Sequence, residues 1–169
     1  MASMTARGSF TWQQLLRRGF SVWSVTRNKD ARVFQTKAFK EKLRPLLGMI
    51  QAESEMDGDR TVFQFPIAPD IEMQIQGDAQ GFLTVAAALT APVDLRDGTR
   101  LLAMLMASRI DDGYPLLSTC LDPHSLCCVV WARQPLHDIE GDQALVLAER
   151  VAEQAQLCAG IRSSLARHS

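Results

Sequence analysis

The sequence predicts an α+β fold, an antiparallel sheet with helices packed against it, in the order α-β-β-β-α-β-β-α. Three segments in the first half alternate apolar and polar residues with a period of two, and short turn-forming links join them. Two further short strands follow an apolar stretch of helical length. From about Asp142 the period changes to 3.6, which is typical of a long helix that lies on a sheet.

Residues 35–52 form the first predicted helix. Thr36 is placed to cap it, and apolar residues recur behind it at helical spacing: Phe39, Leu43, Leu46, Leu47 and Ile50. Pro45 interrupts the pattern and is expected to kink the helix, because proline removes a backbone donor. The acidic segment Glu53–Arg60 lacks the ligand spacing of a calcium loop, and we interpret it as a solvated turn.

The first three strands are predicted at Thr61–Pro66, Ile71–Gln76 and Gly81–Thr90. The second strand alternates most clearly, with its isoleucines and methionine on one face and glutamine or glutamate on the other. Residues 68–70 and 77–81 join the strands. Because these links are short and rich in turn residues, we expect an antiparallel meander.

The second predicted helix begins after proline, with Asp94 as its N-cap. Its central run, Leu101–Ala107, is apolar on every side. A helix without a polar face must be covered on both sides, and a small domain has few elements that can do this. The pattern therefore indicates that another subunit covers one side of this helix.

The C-terminal part predicts a hairpin followed by the long helix. Strands Leu116–Leu121 and Ser125–Arg133 meet at Asp122-Pro123-His124, a turn signal because proline presets φ and aspartate bonds the backbone beyond it. On the helix, small and apolar residues share one wide arc: Leu145, Leu147, Ala148, Val151, Ala152, Ala155, Cys158, Ala159 and Leu165. The alanines on this arc would let the helix backbone approach the sheet closely.

The composition is that of one soluble domain of 169 residues, with 47% hydrophobic and 22% charged residues. No apolar run is long enough to cross a bilayer, and the N-terminus lacks the continuous apolar region of a secretory signal. The cysteines lie late in the chain without the spacing of a disulfide framework: Cys120, Cys127, Cys128 and Cys158. This usage predicts a reduced, cytosolic compartment.

The charge is divided unevenly along the chain. Residues 1–44 contain ten Lys/Arg and two acidic residues, about +8, whereas residues 45–169 carry about −9. We predict a basic N-terminal extension, residues 1–34, and an α+β domain, residues 35–169. The extension, with two tryptophans among its arginines, leaves three interpretations open. It docks on the domain or its dimer mate, it is an arm that binds a partner, membrane or nucleic acid, or it is a transit peptide.

No cluster of residues predicts catalysis, and the histidines lie far apart or in turns: His124, His137 and His168. No phosphate-binding glycine loop or metalloprotease motif occurs. Cys120, His124, Cys127 and Cys128 flank the hairpin turn and could offer ligands to zinc. Adjacent strand residues point to opposite faces, however, so Cys127 and Cys128 are not expected to share an ion. We predict small buried cysteines, no metal, no cofactor and no enzymatic activity.

Four segments share a pattern of apolar positions with a known family: Phe39–Ile50, Ile71–Ile75, Leu101–Ala107 and Leu117–Leu165. Together with the element order and the acidic domain, this pattern resembles the class I type III secretion chaperones, the CesT/SycE-like family, from Ala38 to Leu165. The basic residues 1–34 depart from the minimal family and are similar to its broad-specificity, HpaB-like members.

The resemblance implies a cytoplasmic bacterial chaperone that acts as a homodimer on N-terminal segments of effector proteins. Such segments bind in extended form, wrap over apolar patches and add strands to sheet edges, where backbone hydrogen bonds supply affinity. The bound effector stays competent for export, with the export apparatus or its ATPase as a further partner, and the chaperone itself uses no nucleotide.

Applied to this sequence, the resemblance points to two sets of apolar residues. The candidates for effector binding lie on the first helix and the strands: Leu43, Leu46, Met49, Val62, Val129 and Trp131. The candidates for the dimer interface lie on the apolar second helix: Leu101, Leu102, Met104, Leu105 and Met106.

A different class of function stays open beside the chaperone. The protein would then be a non-catalytic adaptor that docks to a membrane or nucleic acid through the basic arm, whereas a chaperone is expected to bind no nucleic acid and to insert stably into no membrane. Deleting residues 1–34 distinguishes them, because the adaptor would lose all partner binding and the chaperone would retain its effectors. A third possibility, an enzyme using the cysteine–histidine cluster, predicts a bound metal.

Overall fold

The computed structural model of the protein describes residues 29–49, 62–78, 80–107 and 114–164, and within these ranges it contains three α-helices and five strands. They follow one another in the predicted order: α1 (Lys29–Met49), β1 (Val62–Ala68), β2 (Ile71–Gly77), β3 (Phe82–Leu89), α2 (Gly98–Met106), β4 (Ser118–Leu121), β5 (Cys128–Pro135) and α3 (Gln143–Ser164). A short 3-10 helix, Leu136–Asp138, joins β5 to α3. The predicted acidic turn at Glu53–Arg60 and the position of Leu165 lie outside the described residues.

The boundaries differ from the predictions mainly at helix and strand starts. Helix α1 begins at Lys29 rather than at residue 35 and runs through Pro45, whose side chain is exposed. Strand β5 begins later than predicted, at Cys128, because the hairpin turn continues through Leu126, which has a positive φ of 57°.

All five strands form one antiparallel sheet with the order β1-β2-β3-β5-β4. The first three strands are the predicted meander. The β4–β5 hairpin joins this meander through β5, which pairs with β3, so that β4 and β1 are the two edges. The fold class and the element order predicted from periodicity are both confirmed.

Helices α1 and α3 cover one face of the sheet and form the main core with it. On α1 the buried residues recur at helical spacing: Phe39, Leu43, Leu46 and Leu47. On α3 the buried apolar residues belong to the predicted arc, except for Ala144, which was not predicted: Ala144, Leu147, Ala148, Val151, Ala155 and Cys158. Alternate residues of the strands point into this main core, because successive side chains of a strand lie on opposite faces of the sheet.

The opposite face of the sheet carries a smaller apolar cluster. Ala86, Ala88 and Val129 are buried there, with Cys120 and Trp131 packed beside them. Trp131 lies opposite Ala86 in the β3–β5 register, so its indole is placed beside the small side chains of β3.

Helix α2 is capped by Asp97, not by the predicted Asp94. The Asp97 side chain accepts a hydrogen bond of 2.9 Å from the backbone N–H of Arg100, and the helix begins at Gly98. Asp94 instead accepts a 3.0 Å hydrogen bond from the N–H of Arg96 and forms the turn before the helix. Both aspartates are residue types that suit a cap, and the structure places Asp97 at the N-cap of α2.

Gly77 offers a first test of this packing. A Cβ atom built on Gly77 would lie 2.8 Å from the ring of Phe39, which is buried and stacked on Phe63 with ring centroids 6.3 Å apart. We expect Gly77→Ala to lower the free energy of unfolding by about 1–3 kcal/mol, because the ring must shift within a packed core. Chemical denaturation measures this, and Gly98→Ala, where a Cβ meets nothing within 4 Å, is the control. Equal stability of both variants would contradict the packing of Phe39 against β2.

Candidate binding surfaces

The predicted dimer residues divide between the core and the surface. Met104 is buried against α3, where the Cys158 thiol lies 3.9 Å from the Met104 carbonyl oxygen. Leu101 and Leu105 are half-buried. Leu102 and Met106 are 57% and 72% exposed. We call these last two residues, one helical turn apart, the α2 outer stripe.

Within the described residues, the α2 outer stripe contains the large apolar side chains of the helix that remain exposed. Helix α2 packs on α3 and beside β4, and the buried Gln154 side chain donates a hydrogen bond to the Ala107 carbonyl at the end of α2. Leu95, in the turn before the helix, is half exposed as well. Exposed large apolar side chains on neighbouring turns of one helix mark a surface suited to a protein partner.

The residues predicted to contact an effector do not come together in one site. Leu43 and Leu46 are buried in the main core, and Val129 is buried in the cluster on the opposite face. The fold therefore gives these three side chains a packing role, which the apolar pattern did not distinguish from surface contact. Met49 is 60% exposed at the end of α1. Val62 at the start of β1 and Trp131 on β5 are half-buried and lie on separate strands.

An open sheet edge is the second candidate surface. Strand β1 is at one end of the sheet, and within the described residues no strand pairs with its outer side. The other edge, β4, has helix α2 beside it. The unpaired N–H and carbonyl groups of an edge strand can accept a further strand, so β1 is the more accessible position for an added polypeptide.

A third surface, not predicted from the sequence, lies at the start of α3. The loop before β4 exposes Tyr114 and Leu116. Tyr114 lines a cavity of about 360 Å³ together with Gln134 and Leu147. The Arg150 guanidinium donates hydrogen bonds of 3.3 Å to the carbonyl oxygens of residues 114 and 115 and holds this loop against the helix. These residues come from a loop, a strand and a helix without a shared period, so no sequence pattern marks them.

The cysteine–histidine cluster is a folded hairpin turn. Among the described residues no group of three or more His, Cys, Asp or Glu side chains is arranged to hold a metal ion. Cys128 faces α3, where contact with the Cys158 thiol and burial raise the pKa of Cys128, so the thiol stays protonated. Burial also raises the pKa of Cys120, which lies on the opposite face of the sheet.

Asp122 organises this turn. Its carboxylate accepts hydrogen bonds from the backbone N–H of Ser125 at 2.8 Å and from that of His124 at 3.4 Å, and the Ser125 hydroxyl donates to it. Burial opposes ionisation of Asp122, but the hydrogen bonds from Ser125 and His124 outweigh it and lower the pKa of this carboxyl. The turn therefore depends on the charged form of Asp122.

A lowered pKa makes the contribution of Asp122 to stability depend on pH. We expect Asp122→Asn to lower the free energy of unfolding at pH 7 by about 1–3 kcal/mol, because buried donors lose a charged acceptor. The pKa of Asp122 is lower in the folded than in the unfolded protein. The stability difference between the wild type and Asp122→Asn is therefore fully present above the unfolded-state pKa of about 3.9, and it shrinks as the pH falls through the folded-state pKa. Urea denaturation at a series of pH values measures it, and a difference that grows on acidification would contradict the assignment.

Among the helices of the described residues, none has both the length and the apolar character needed to cross a bilayer.

Solved structures with a similar fold include chains from a type III secretion chaperone complex and from a chaperone–effector complex. A chain in the crystal structure of the Yersinia pestis type III secretion chaperone SycH, in complex with a stable fragment of YscM2, superposes with a TM-score of 0.54 at 12% identity. The match covers 71% of this chain and 98% of that chain. A chain in the HopA1–SchA chaperone–effector complex matches with a TM-score of 0.51 at 17% identity, covering 82% and 100%. A chain in the ExoT–SpcS complex from Pseudomonas aeruginosa matches with a TM-score of 0.53 at 15% identity, covering 71% and 96%.

These matches show that the protein has the fold of the type III secretion chaperones, as the apolar pattern predicted. No family model and no curated protein matches the sequence. The shared feature is therefore the three-dimensional arrangement of sheet and helices, which covers nearly the whole length of the solved chains.

Proposed function

We propose that the protein is a cytoplasmic, non-catalytic chaperone of a type III secretion system. It binds N-terminal segments of effector proteins as a homodimer and keeps them competent for export. The observation that carries this proposal is the similarity in fold, over 71% and 82% of this chain, to chains of solved chaperone and chaperone–effector structures. A chaperone of this kind needs surfaces for polypeptides and no reactive centre.

Two surfaces support the proposal. The α2 outer stripe exposes leucine and methionine on a helix that packs on its other side, which suits a two-fold contact with the same helix of a second copy. The open edge of β1 suits an extended effector segment, since an edge strand offers unpaired backbone groups. Met49, Val62 and Trp131 are the predicted effector contacts that remain at least partly accessible.

Co-expression tests the function directly. The protein is produced together with the N-terminal part of a secreted protein encoded beside it in the same genome, and the complex is purified by a tag on the chaperone. Light scattering is expected to give two chaperone copies per complex, and the secreted segment is expected to be soluble only when the chaperone is present. A strict monomer at micromolar concentration that leaves the segment insoluble would contradict the proposal.

The same experiment addresses the basic arm. Because α1 begins at Lys29, the deletion that leaves the helix intact removes residues 1–28. We expect effector binding to survive it, with any contact to the export apparatus or its ATPase carried by the removed residues. Loss of all partner binding would instead favour the adaptor, which reaches a membrane or nucleic acid through the arm. Binding of several unrelated effectors would place the chaperone with the broad-specificity, HpaB-like members.

A further inference from the structure

The described part of the chain buries three glutamine side chains to nearly the same extent. Gln74, Gln134 and Gln154 are 4%, 6% and 5% exposed. The Gln74 amide donates a 3.2 Å hydrogen bond to the side-chain oxygen of Gln76, and the Gln154 amide donates to the Ala107 carbonyl. The Gln134 amide has no hydrogen-bond partner among the described residues. Because burying an amide without a partner costs free energy, this difference needs a physical reason.

The strand pattern places the Gln134 side chain on the helix-covered face of the sheet. The preceding even-numbered residues of β5 all belong to the main core: Cys128, Val130 and Ala132. Gln134 continues this row and lies opposite Leu83 in the β3–β5 register. It lines the cavity of about 360 Å³ beside Tyr114, which we call the Gln134 cavity. A polar side chain therefore stands where the row would place an apolar one, at a cavity that can admit a partner for it.

Apolar side chains line much of the Gln134 cavity. Pro115 and Leu147 are buried, Val146 on the first turn of α3 is half exposed, and the Tyr114 side chain is mostly exposed. Ligand sites occupy roughly 300–1,000 Å³, so this cavity is small and suits a group about the size of a side chain. The lining requires a ligand with an apolar part as well as a polar end for Gln134.

The charged residues of the cavity are of opposite sign, and each is already engaged by the protein. The Arg150 guanidinium donates to the carbonyl oxygens of residues 114 and 115, and the Asp138 carboxylate lies 3.0 Å from the His137 ring nitrogen. The buried polar group that a ligand meets is thus the neutral amide of Gln134. Desolvating a charged ligand beside it would cost more than hydrogen bonds to an amide contribute, so the polar end of the ligand is neutral.

The Gln134 amide also restricts the geometry of that neutral group. It carries an NH₂ donor next to a carbonyl acceptor, and both are satisfied together by a group that presents an acceptor and a donor in the same direction. A primary carboxamide does this. A trans peptide group does not, because its N–H and carbonyl point in opposite directions. An aliphatic stem that ends in a primary carboxamide, as in glutamine, therefore matches both the amide and the apolar lining.

We propose that the Gln134 cavity binds a primary carboxamide on an aliphatic stem, the chemistry of a glutamine side chain, through paired hydrogen bonds between the two amides. Val146 and Leu147 pack on the stem. A glutamine residue of a bound polypeptide and free glutamine both present this group, and the probes below separate them. The inference goes beyond the proposed function, since it rests on the cavity alone and a chaperone without this site would still dimerise and bind its effector.

A pair of variants tests whether the Gln134 amide lacks a partner in the protein. Gln134→Met replaces the amide with an apolar side chain of similar length, and its urea midpoint is expected to be no lower than that of the wild type. Gln154→Met is the matched control, because an equally buried amide there loses its bond to the Ala107 carbonyl and the midpoint falls. Equal losses in the two variants would show that Gln134 is held by the protein itself and would overturn the proposal.

Amide NMR spectra of the isotope-labelled full chain test binding directly. The probes are N-acetyl-glutamine N-methylamide and its glutamate and methionine counterparts. We expect the glutamine probe to shift the side-chain NH₂ signals of Gln134 and the backbone signals of Val146 and Leu147. It is expected to bind roughly tenfold more tightly than the other two probes, which cannot make both hydrogen bonds. In Gln134→Met this preference for the glutamine probe is expected to disappear.

Free L-glutamine is the fourth probe and identifies the source of the carboxamide. Tighter binding of the capped glutamine assigns the site to a polypeptide side chain, and tighter binding of free glutamine assigns it to the amino acid. Equal affinity of the three capped probes, or no shift of the Gln134 side-chain signals up to the solubility limit of the glutamine probe, overturns the proposal. Neither result affects the dimer or the co-purified effector segment, which test the proposed function separately.

Discussion

Replacing Met106 with aspartate is expected to convert the proposed homodimer to a monomer. Met106 and Leu102 form the α2 outer stripe, and both are exposed in the single chain, so the change leaves the fold of one subunit intact. In a two-fold interface every substitution is present twice, so two aspartates would have to be desolvated in one apolar contact. We expect the dissociation constant of the dimer to rise by about 100-fold or more.

Analytical ultracentrifugation over a range of concentrations measures this change. Gln156→Asp is the matched control, because Gln156 is exposed on α3 and lies outside the α2 outer stripe. The melting temperature of the Met106→Asp monomer should stay close to that of an isolated wild-type subunit. A Met106→Asp variant that dimerises as tightly as the control would exclude the α2 outer stripe as the interface.

Replacing Leu43 with alanine is expected to have the largest effect on stability. The family resemblance points to both Leu43 and Met49 as effector-binding residues, but Leu43 is fully buried in the main core and Met49 is 60% exposed. Leu43→Ala removes buried methyl groups and leaves a cavity, which costs about 2–5 kcal/mol. Met49→Ala should change the free energy of unfolding by less than about 0.5 kcal/mol, as surface substitutions usually do.

Denaturant unfolding and effector binding are measured on the same two variants. If Met49 is a contact, Met49→Ala weakens binding while its stability is unchanged, whereas Leu43→Ala loses stability first and binding only as a consequence. A Leu43→Ala variant that is as stable as the wild type yet no longer binds the effector segment would reverse this assignment.

The element order could be predicted because each element carries its own period. Alternation in β2 and the wide apolar arc of α3 are local features, and each one is buried on the side that its pattern indicates. Boundaries were less accurate where two residues of equal capping ability compete, as Asp94 and Asp97 do before α2. The later start of β5 has a similar cause, since nothing before Cys128 marks the left-handed conformation of Leu126.

The candidate surfaces could be predicted only in part. An apolar run on every side of a helix, as in α2, indicates that both of its sides are covered. It does not indicate which side packs on the same chain and which side meets another subunit. In the structure Met104 faces α3 of its own chain, and Leu102 and Met106 are left exposed. The cavity beside Tyr114 shows the opposite case, because distant segments build it and these segments share no common period.

The sequence by itself determined the secondary structure, its order and the side that each amphipathic element buries, because those properties depend on neighbours within a few residues along the chain. Only the tertiary structure decided which apolar side chains remain at the surface and which edge of the sheet is open. It placed β5 between β3 and β4 and left β1 unpaired on its outer side among the described residues. That outcome depends on which elements pack together, so burial of Leu43 and exposure of Met106 follow from contacts between distant parts of the chain.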